Sequence, residues 1–323
     1  MSRAGAHAGR LHPEEQFVFA MVFALMAGFV VVITMSAARS SMTPLLGVST
    51  AAAGSQTVPA GTRGVHQPGH PDAGSPVIRA ASPQLNASLA AAMRTVLRTH
   101  PGRVAVGVID ETTGRAALYA PTQPFGSGSI VTADILAALL VRQHADPSVT
   151  GEQAVLATAM MDNGSVPAAA SLWRAIGEGN GLASANRLLK LTQTIPGASD
   201  RWDQTKTTIA DQLQLLIDLT SSRSPLTAAG RDYVLDLMSH GTRPVWGVPA
   251  AGIGNAIQDG SLLDGKLWAA NSIGIVVHGG RVLLVAVLSS GSTSQVAASS
   301  LVSAAAVAAA NVMTGRQAGR TGR

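Results

Sequence analysis

The sequence predicts an α+β fold: an antiparallel sheet flanked by terminal helices, an all-helical lobe, and one N-terminal transmembrane helix before them. Three observations predict it. An uninterrupted apolar segment occupies residues 17–38. From residue 84 a helix and two strand patterns come first, and three strand patterns and a helix come last. Between them, residues 129–245 show helical periodicity. Because strands from both ends must meet in one sheet, the helical block forms a second lobe with a crevice beside it.

Composition narrows the class of protein further. The chain has 323 residues, of which 46% are hydrophobic and 13% charged, which suits one domain with appendages. It has no cysteine, which excludes disulfides, thiolate metal sites and a cysteine nucleophile. The net charge is +5, but the arginines are scattered singly, so we predict no nucleic-acid partner. Such basicity suits a protein that faces anionic lipid or cell wall. We predict no cofactor and no metal site.

The apolar segment at residues 17–38, FVFAMVFALMAGFVVVITMSAA, predicts a membrane anchor. About 22 residues at about 1.5 Å each span a hydrocarbon core of about 30 Å. Arg3 and Arg10 precede it, which favours a short cytoplasmic tail at residues 1–16 and the rest of the chain outside the cell membrane. The alternative is secretion after signal cleavage, because Ser36-Ala37-Ala38 resembles a cleavage site. The apolar run is longer than the usual signal core, so we favour a retained single-pass anchor.

Three further regions follow the anchor. Residues 39–83 are rich in Ala, Gly, Ser, Thr, Pro and His without periodicity, which predicts a disordered linker. Residues 84–312 form the globular domain, and residues 313–323 form a flexible basic tail. The domain begins with a helix in SPQLNASLAAAMRTVLRTH, stopped by Pro-Gly. A hairpin in RVAVGVIDETTGRAALYA turns at Gly114.

The helical block and the last strands complete the domain. The predicted helices lie in SIVTADILAALLVRQH, TGEQAVLATAMMDN, PAAASLWRAIG, LASANRLLKLT, TTIADQLQLLIDLT and TAAGRDYVLDLMSH. Thr207 or Thr208 caps the fifth of them and Thr227 the sixth. Three strands then follow in GNAIQDGSLL, LWAANSIGIVVHGG and RVLLVAVLSS, with turns at Asp264-Gly265 and Gly279-Gly280. A last amphipathic helix lies in STSQVAASSLVSAAAVAAANVM.

A serine lies where a loop becomes a helix in GSGSIVTADILAALL, directly after the first hairpin. This order of elements resembles the serine β-lactamase and penicillin-binding-protein family, and most closely its class A-type serine hydrolases. The resemblance covers about residues 84–312. It rests on GSIVTADILAALL, MMDNGSVPAAASLW, TTIADQLQLL, WGVPAAGIGNAIQDGSLL and LWAANSIGIVV.

The family's chemistry uses three motifs, and the resemblance implies where each falls. In Ser-x-x-Lys the amine takes the proton of the nucleophilic serine; here Ser129 matches the serine and Thr132 replaces the lysine. Ser-Asp-Asn, on a loop of the helical lobe, is replaced by Gly164-Ser165-Val166. Lys-Thr-Gly, on a strand, is replaced by Gln258-Asp259-Gly260. The serine remains while its chemical partners are lost.

These replacements predict a degenerate site. A threonine hydroxyl is no base at neutral pH, and an amide beside an acid repels an anionic substrate. No Glu-x-x-Leu-Asn precedes TTIADQLQLL, so the deacylating glutamate of class A β-lactamases is also missing. Asn271 and Ser272, on the strand next to Gln258, are predicted to line the crevice.

The functional prediction is a catalytically inactive, membrane-anchored domain that binds a peptidoglycan fragment or a protein partner. The alternative is a divergent serine hydrolase, of β-lactamase or D,D-peptidase type, that uses Ser129 with an unconventional base. A third hypothesis is a structural domain whose cleft is closed by Val166 and its neighbours and holds no ligand.

Overall fold

The computed structural model describes residues 76–142, 151–240 and 246–316. The predicted cytoplasmic tail, the anchor at residues 17–38 and most of the predicted linker lie outside these residues. Helix α1 (Pro76–Ala80) falls inside the predicted linker, and its Val77 is buried. The ordered domain therefore includes residues before the predicted boundary at residue 84.

The other elements follow in chain order. The helices are α2 (Pro83–Thr99), α3 (Val131–Arg142), α4 (Glu152–Asn163), α5 (Val166–Ala175), α6 (Glu178–Leu189), α7 (Ile209–Thr220), α8 (Ala228–His240) and α9 (Gln295–Thr314). The strands are β1 (Arg103–Asp110), β2 (Ala116–Tyr119), β3 (Phe125–Gly126), β4 (Lys206–Thr207), β5 (Ile253–Asp264), β6 (Leu267–His278) and β7 (Arg281–Ser290).

Strands from both ends of the domain meet in one five-stranded sheet, in the order β2-β1-β7-β6-β5. All its neighbouring strands are antiparallel, with Val106 of β1 opposite Val287 of β7. The predicted antiparallel sheet is confirmed. Strand β5 lies at one edge of this sheet, and this edge borders the helical lobe.

The sheet is buried on both faces. Helices α2 and α9 cover one face, where Met93 and Leu301 pack on Val285 and its neighbours. Helix α9 is the one described helix long and apolar enough to cross a membrane, but its apolar side chains pack on the sheet as in a core helix. On the other face, a Cβ at Gly107 would lie 2.6 Å from Ile209 Cγ2 of α7. Glycine at this position of β1 therefore lets α7 pack directly on the sheet.

The helical lobe is built around α3, in which every residue from Val131 to Val141 is buried. The predicted caps are present: the Thr208 hydroxyl accepts from the backbone N–H of Asp211, and the Thr227 hydroxyl accepts from that of Gly230.

A second, two-stranded ladder was not predicted from the sequence. In it β3 pairs with β4, with Gly126 opposite Lys206. This ladder holds Gly126, three residues before Ser129. It therefore sets where the loop that carries Ser129, which we call the serine loop, leaves the sheet.

Candidate ligand-binding cleft

Ser129 lies in a turn of 3₁₀ helix, Gly128–Ile130, that leads directly into α3. The Thr132 hydroxyl, one turn later, donates a hydrogen bond to the Ser129 carbonyl at 2.8 Å. The Gln258 side-chain amide also points to this carbonyl, at 3.5 Å. Thr132 therefore stabilises the start of the helix, and its proton is already donated. Within the described residues, no basic nitrogen is bonded to the Ser129 hydroxyl.

The serine loop is fixed from the sheet by Asn271 of β6, which is fully buried. Its amide nitrogen donates to the carbonyls of Gly126 and Ser127, both at 2.8 Å. Its amide oxygen accepts from the backbone N–H of Ser289 at 3.0 Å. All three bonds go to backbone groups, so Asn271 joins the sheet to the loop that carries Ser129.

The segment Gly164-Ser165-Val166 connects α4 to α5. Gly164 ends α4 in the left-handed conformation, with φ at +62°, which favours glycine. Ser165 caps α5, because its hydroxyl accepts from the backbone N–H of Ala168. Val166 is 61% exposed. The first two residues thus shape the backbone, and the third presents an apolar side chain to solvent.

Gln258, Asp259 and Gly260 lie on edge strand β5, beside the serine turn. A Cβ at Gly260 would lie 2.5 Å from Ser129 N and 2.9 Å from Ile130 N. Only a residue without a side chain lets the strand lie this close to the backbone of the turn.

Replacing Gly260 by alanine is therefore expected to lower the free energy of unfolding by about 1–3 kcal/mol, since strand and turn must separate to admit the methyl group. Urea unfolding followed by tryptophan fluorescence measures the loss. Ser261→Ala, at the next position of the same strand, is the control and should change stability by no more than about 0.5 kcal/mol. Equal stabilities for Gly260→Ala and Ser261→Ala would show that the close approach is not required.

The three replaced motifs surround one cavity of about 430 Å³. From the predicted set it is lined by Ser129, Thr132, Gly164, Ser165, Val166, Gln258, Asp259 and Gly260. The sequence did not indicate Trp202 and Trp246, which also line it, nor Gln295 at the start of α9. Val166 does not close it.

Asn271 and Ser272 are a correction to the prediction, because neither lines the cavity. Both are fully buried. Asn271 holds the serine loop as described above, and the Ser272 hydroxyl accepts from the backbone N–H of Val248 at 2.8 Å. They lie behind the wall of the cleft because β6 is an interior strand.

The charged side chains of the described cavity lining are carboxylates, those of Asp162 and Asp259. Lysine, arginine and histidine are absent from that described lining. The chain's three lysines, Lys190, Lys206 and Lys266, are all exposed, and none lines the cavity. The described cavity lining therefore contains no lysine amine that could act as a base or bind a carboxylate.

Behind the serine turn lies a buried polar cluster that the sequence did not indicate. The Gln212 amide nitrogen donates to the Asp134 carboxylate at 3.2 Å and to the Thr207 hydroxyl at 3.0 Å. The Thr194 hydroxyl bonds to Thr207 at 2.9 Å and donates to Asp211 at 2.7 Å. Burial raises the pKa of Asp134 to about 7; the hydrogen bond from Gln212 lowers it, and the charge of Asp211 raises it. Burial also raises the pKa of Asp211.

Two other features of the described residues do not bear on the cleft. A wider apolar groove of about 1050 Å³ runs between α2 and α9 and shares only Trp246 with the cleft. No group of three or more His, Asp or Glu side chains in the described part of the chain is placed to hold a metal ion.

Three features define the serine β-lactamase and penicillin-binding-protein-like fold. They are an antiparallel sheet, terminal helices that flank it, and a serine turn that lies beside an edge strand and leads into the helical lobe. The chain has this fold. It is similar in structure to a β-lactamase from Xanthomonas campestris, with a TM-score of 0.60, 21% identity and coverage of 71% of this chain and 98% of that one. It is also similar to a class A β-lactamase from Mycobacterium abscessus, with a TM-score of 0.59, 17% identity and coverage of 71% and 99%.

A β-lactamase from Streptosporangium roseum gives a TM-score of 0.58 at 16% identity, with coverage of 72% and 99%. At these identities the likeness establishes the fold, and the described domain spans nearly the whole of each of these enzymes. No family model matches the sequence, and no curated protein matches it.

Proposed function

We propose that this chain is a membrane-anchored, extracytoplasmic β-lactamase-like protein that binds a peptidoglycan fragment in its cleft without hydrolysing it. The observation that carries the proposal is an open cavity that contains Ser129 but, in its described lining, no nitrogen base. The apolar segment at residues 17–38 supports the anchored location.

The chemistry at Ser129 supports inactivity. A serine hydroxyl needs a neighbouring base to become a nucleophile at neutral pH. The group at the lysine position, Thr132, donates its proton to the Ser129 carbonyl and has no basic lone pair. Loss of the base from a serine site typically costs about 10⁴- to 10⁶-fold in kcat.

The shape of the cleft supports binding over a purely structural role. A volume of about 430 Å³ is in the usual range for small-molecule sites, about 300–1,000 Å³. Trp246 and the small exposed part of Trp202, which is 9% exposed, offer apolar surface, while Gln258, Ser261 and Gln295 offer hydrogen-bonding groups. This mixture suits a glycopeptide, which has sugar faces, amides and hydroxyls.

The full chain is expected to give no covalent adduct with a fluorescent penicillin and no nitrocefin turnover above a Ser129→Ala variant. A fluorophosphonate probe tests the alternative of a divergent serine hydrolase. Intact-mass spectrometry detects each adduct. Acylation or turnover that disappears in Ser129→Ala would overturn the inactive assignment.

Binding is tested with purified soluble peptidoglycan fragments and tryptophan fluorescence. Val166→Trp should fill the mouth of the cleft and weaken binding at least tenfold. The matched control is Val155→Trp, at a position on α4 that is 69% exposed and does not line the cavity. If no fragment binds, or if both variants weaken binding alike, the cleft is not a peptidoglycan site and a protein partner becomes the better proposal.

A further inference from the structure

Four arginines on four separate segments gather at one end of the sheet. Arg79 lies on α1, Arg115 in the β1–β2 turn, Arg281 at the start of β7, and Arg316 just after α9. All four residues are exposed. We call this surface the arginine face.

Backbone contacts bring the first two arginines together. Ala81, two residues after Arg79, forms a bridge with Ala116, the residue after Arg115. The backbone N–H of Ser82 also donates to the Ala116 carbonyl at 3.0 Å. Helix α1 is thereby fixed beside the β1–β2 turn.

The other two arginines continue the same surface. The Arg115 carbonyl accepts from the backbone N–H of Asp110 at 3.0 Å, and the Arg281 side chain donates to the Asp110 carboxylate at 2.6 Å. A Cβ at Gly279 would lie 3.7 Å from Arg316 Cζ, which places Arg316 against the β6–β7 turn.

The arginine face has little opposing charge within these segments. Asp110 is 1% exposed and bonded to Arg281, so it gives no accessible negative charge. Among the described segments that form the face, the one exposed acidic residue is Glu111, in the β1–β2 turn. The face is therefore net positive.

The termini of the described domain are at this same end. Residues 1–75, which include the predicted anchor at 17–38, precede α1 of the arginine face. Residues 317–323, which include Arg320 and Arg323, follow Arg316. The part of the domain nearest in sequence to the predicted anchor thus carries the basic surface.

We propose that the arginine face docks on anionic phospholipid headgroups of the membrane that holds the anchor; this rests on the membrane anchoring in the proposed function. Guanidinium groups form charge-assisted, bidentate hydrogen bonds with phosphate oxygens. A predicted linker of about 40 residues gives a tether of about 35 Å, so the domain stays within reach of the surface. Docking would orient the domain relative to the membrane.

Single-cysteine labelling tests the orientation, because the natural chain has no cysteine. The full chain carrying Thr112→Cys, an exposed site in the β1–β2 turn, is reconstituted into phosphatidylcholine vesicles with or without about one third phosphatidylglycerol. An impermeant maleimide donor labels outward-facing domains, and a rhodamine lipid is the energy-transfer acceptor. We expect higher transfer efficiency in the anionic vesicles, lost at about 1 M sodium chloride, where the Debye length is about 3 Å.

The variant R79Q/R115Q/R316Q should lower the ratio of docked to undocked domain about a hundredfold, or about fivefold for each arginine. Arg281 is kept because it is bonded to a buried carboxylate. R174Q/R187Q/K190Q removes the same charge from an exposed position of α5, an exposed position of α6 and the exposed residue directly after α6, and should leave transfer unchanged. A donor at Val155→Cys, in the helical lobe, should report no gain in anionic vesicles.

Equal transfer in both vesicle types, or equal losses in the two triple variants, would overturn the docking proposal. Flotation keeps this result separate from the anchor itself. A chain that floats with phosphatidylcholine vesicles at high salt but shows no charge-dependent transfer is anchored and undocked. A chain that fails to float overturns the anchoring, and the docking with it.

Discussion

Asn271→Asp is expected to lower the free energy of unfolding by about 3–5 kcal/mol at neutral pH. The two carbonyls of Gly126 and Ser127 now accept from the Asn271 amide at 2.8 Å each. A carboxylate would place negative oxygen against both of them in a site that is fully buried. The serine turn should therefore loosen along with the whole domain.

Urea unfolding measures the global effect, and hydrogen exchange at the amides of Ile130 and Val131 measures the local one. Asn180→Asp, on the exposed surface of α6, is the matched control and should stay within about 0.5 kcal/mol of the natural chain. A loss below about 1 kcal/mol for Asn271→Asp, with unchanged exchange at Ile130, would show that the serine loop does not depend on this amide.

Asp134→Asn is expected to stabilise the protein above neutral pH, by on the order of 4 kcal/mol near pH 8. Burial raises the pKa of Asp134 from its ordinary 3.8 to about 7. The folded protein thus holds a proton on Asp134 that the unfolded chain releases. This contribution to stability is fully present below about pH 4 and is lost as the pH rises through about 7. Asparagine carries no charge and still accepts from Gln212, so it avoids the loss.

The comparison must be made as a function of pH. Natural and variant proteins should unfold at similar urea concentrations near pH 4, diverge between about pH 4 and 7, and keep a constant difference above that range. Burial also raises the pKa of Asp218 to about 7, so the natural chain and Asp134→Asn should both retain that second pH dependence. Asp232→Asn, at an exposed position of α8, should leave the pH profile unchanged. Parallel profiles for Asp134→Asn and the natural chain would contradict the raised pKa.

Much of the architecture follows from sequence periodicity. Alternating apolar residues in RVAVGVID predict β1, and the apolar run RVLLVAVLSS predicts β7. That both belong to one sheet follows because the strands near the two ends of the domain must pair with one another. Threonine before IADQLQLL predicts the start of α7 within one residue. Helix α1 was missed because its five residues are too few to show a period. The β3–β4 ladder has only two residues in each strand and leaves no pattern either.

The site was harder to predict, because a sequence gives residue types without their surroundings. The three replaced motifs could be placed by resemblance, and they do line one cavity. Asn271 and Ser272 have polar side chains that suggest a crevice, yet on an interior strand such groups can bond to buried backbone instead. Asp134 has the sequence signature of an ordinary first-turn acid, and nothing in the sequence marks its complete burial.

The contact between Gly260 and the backbone of Ser129 affects how lost activity should be recognised in related sequences. A Cβ at position 260 would collide with main-chain atoms, so the steric demand persists whether or not any bond is ever cleaved there. Selection for folding alone would therefore retain this glycine in a chain that has no catalytic activity. A glycine retained at this position in a homologue thus indicates close packing of two backbone segments. Only the ionisable residues of the three motifs can indicate whether a homologue is an active enzyme.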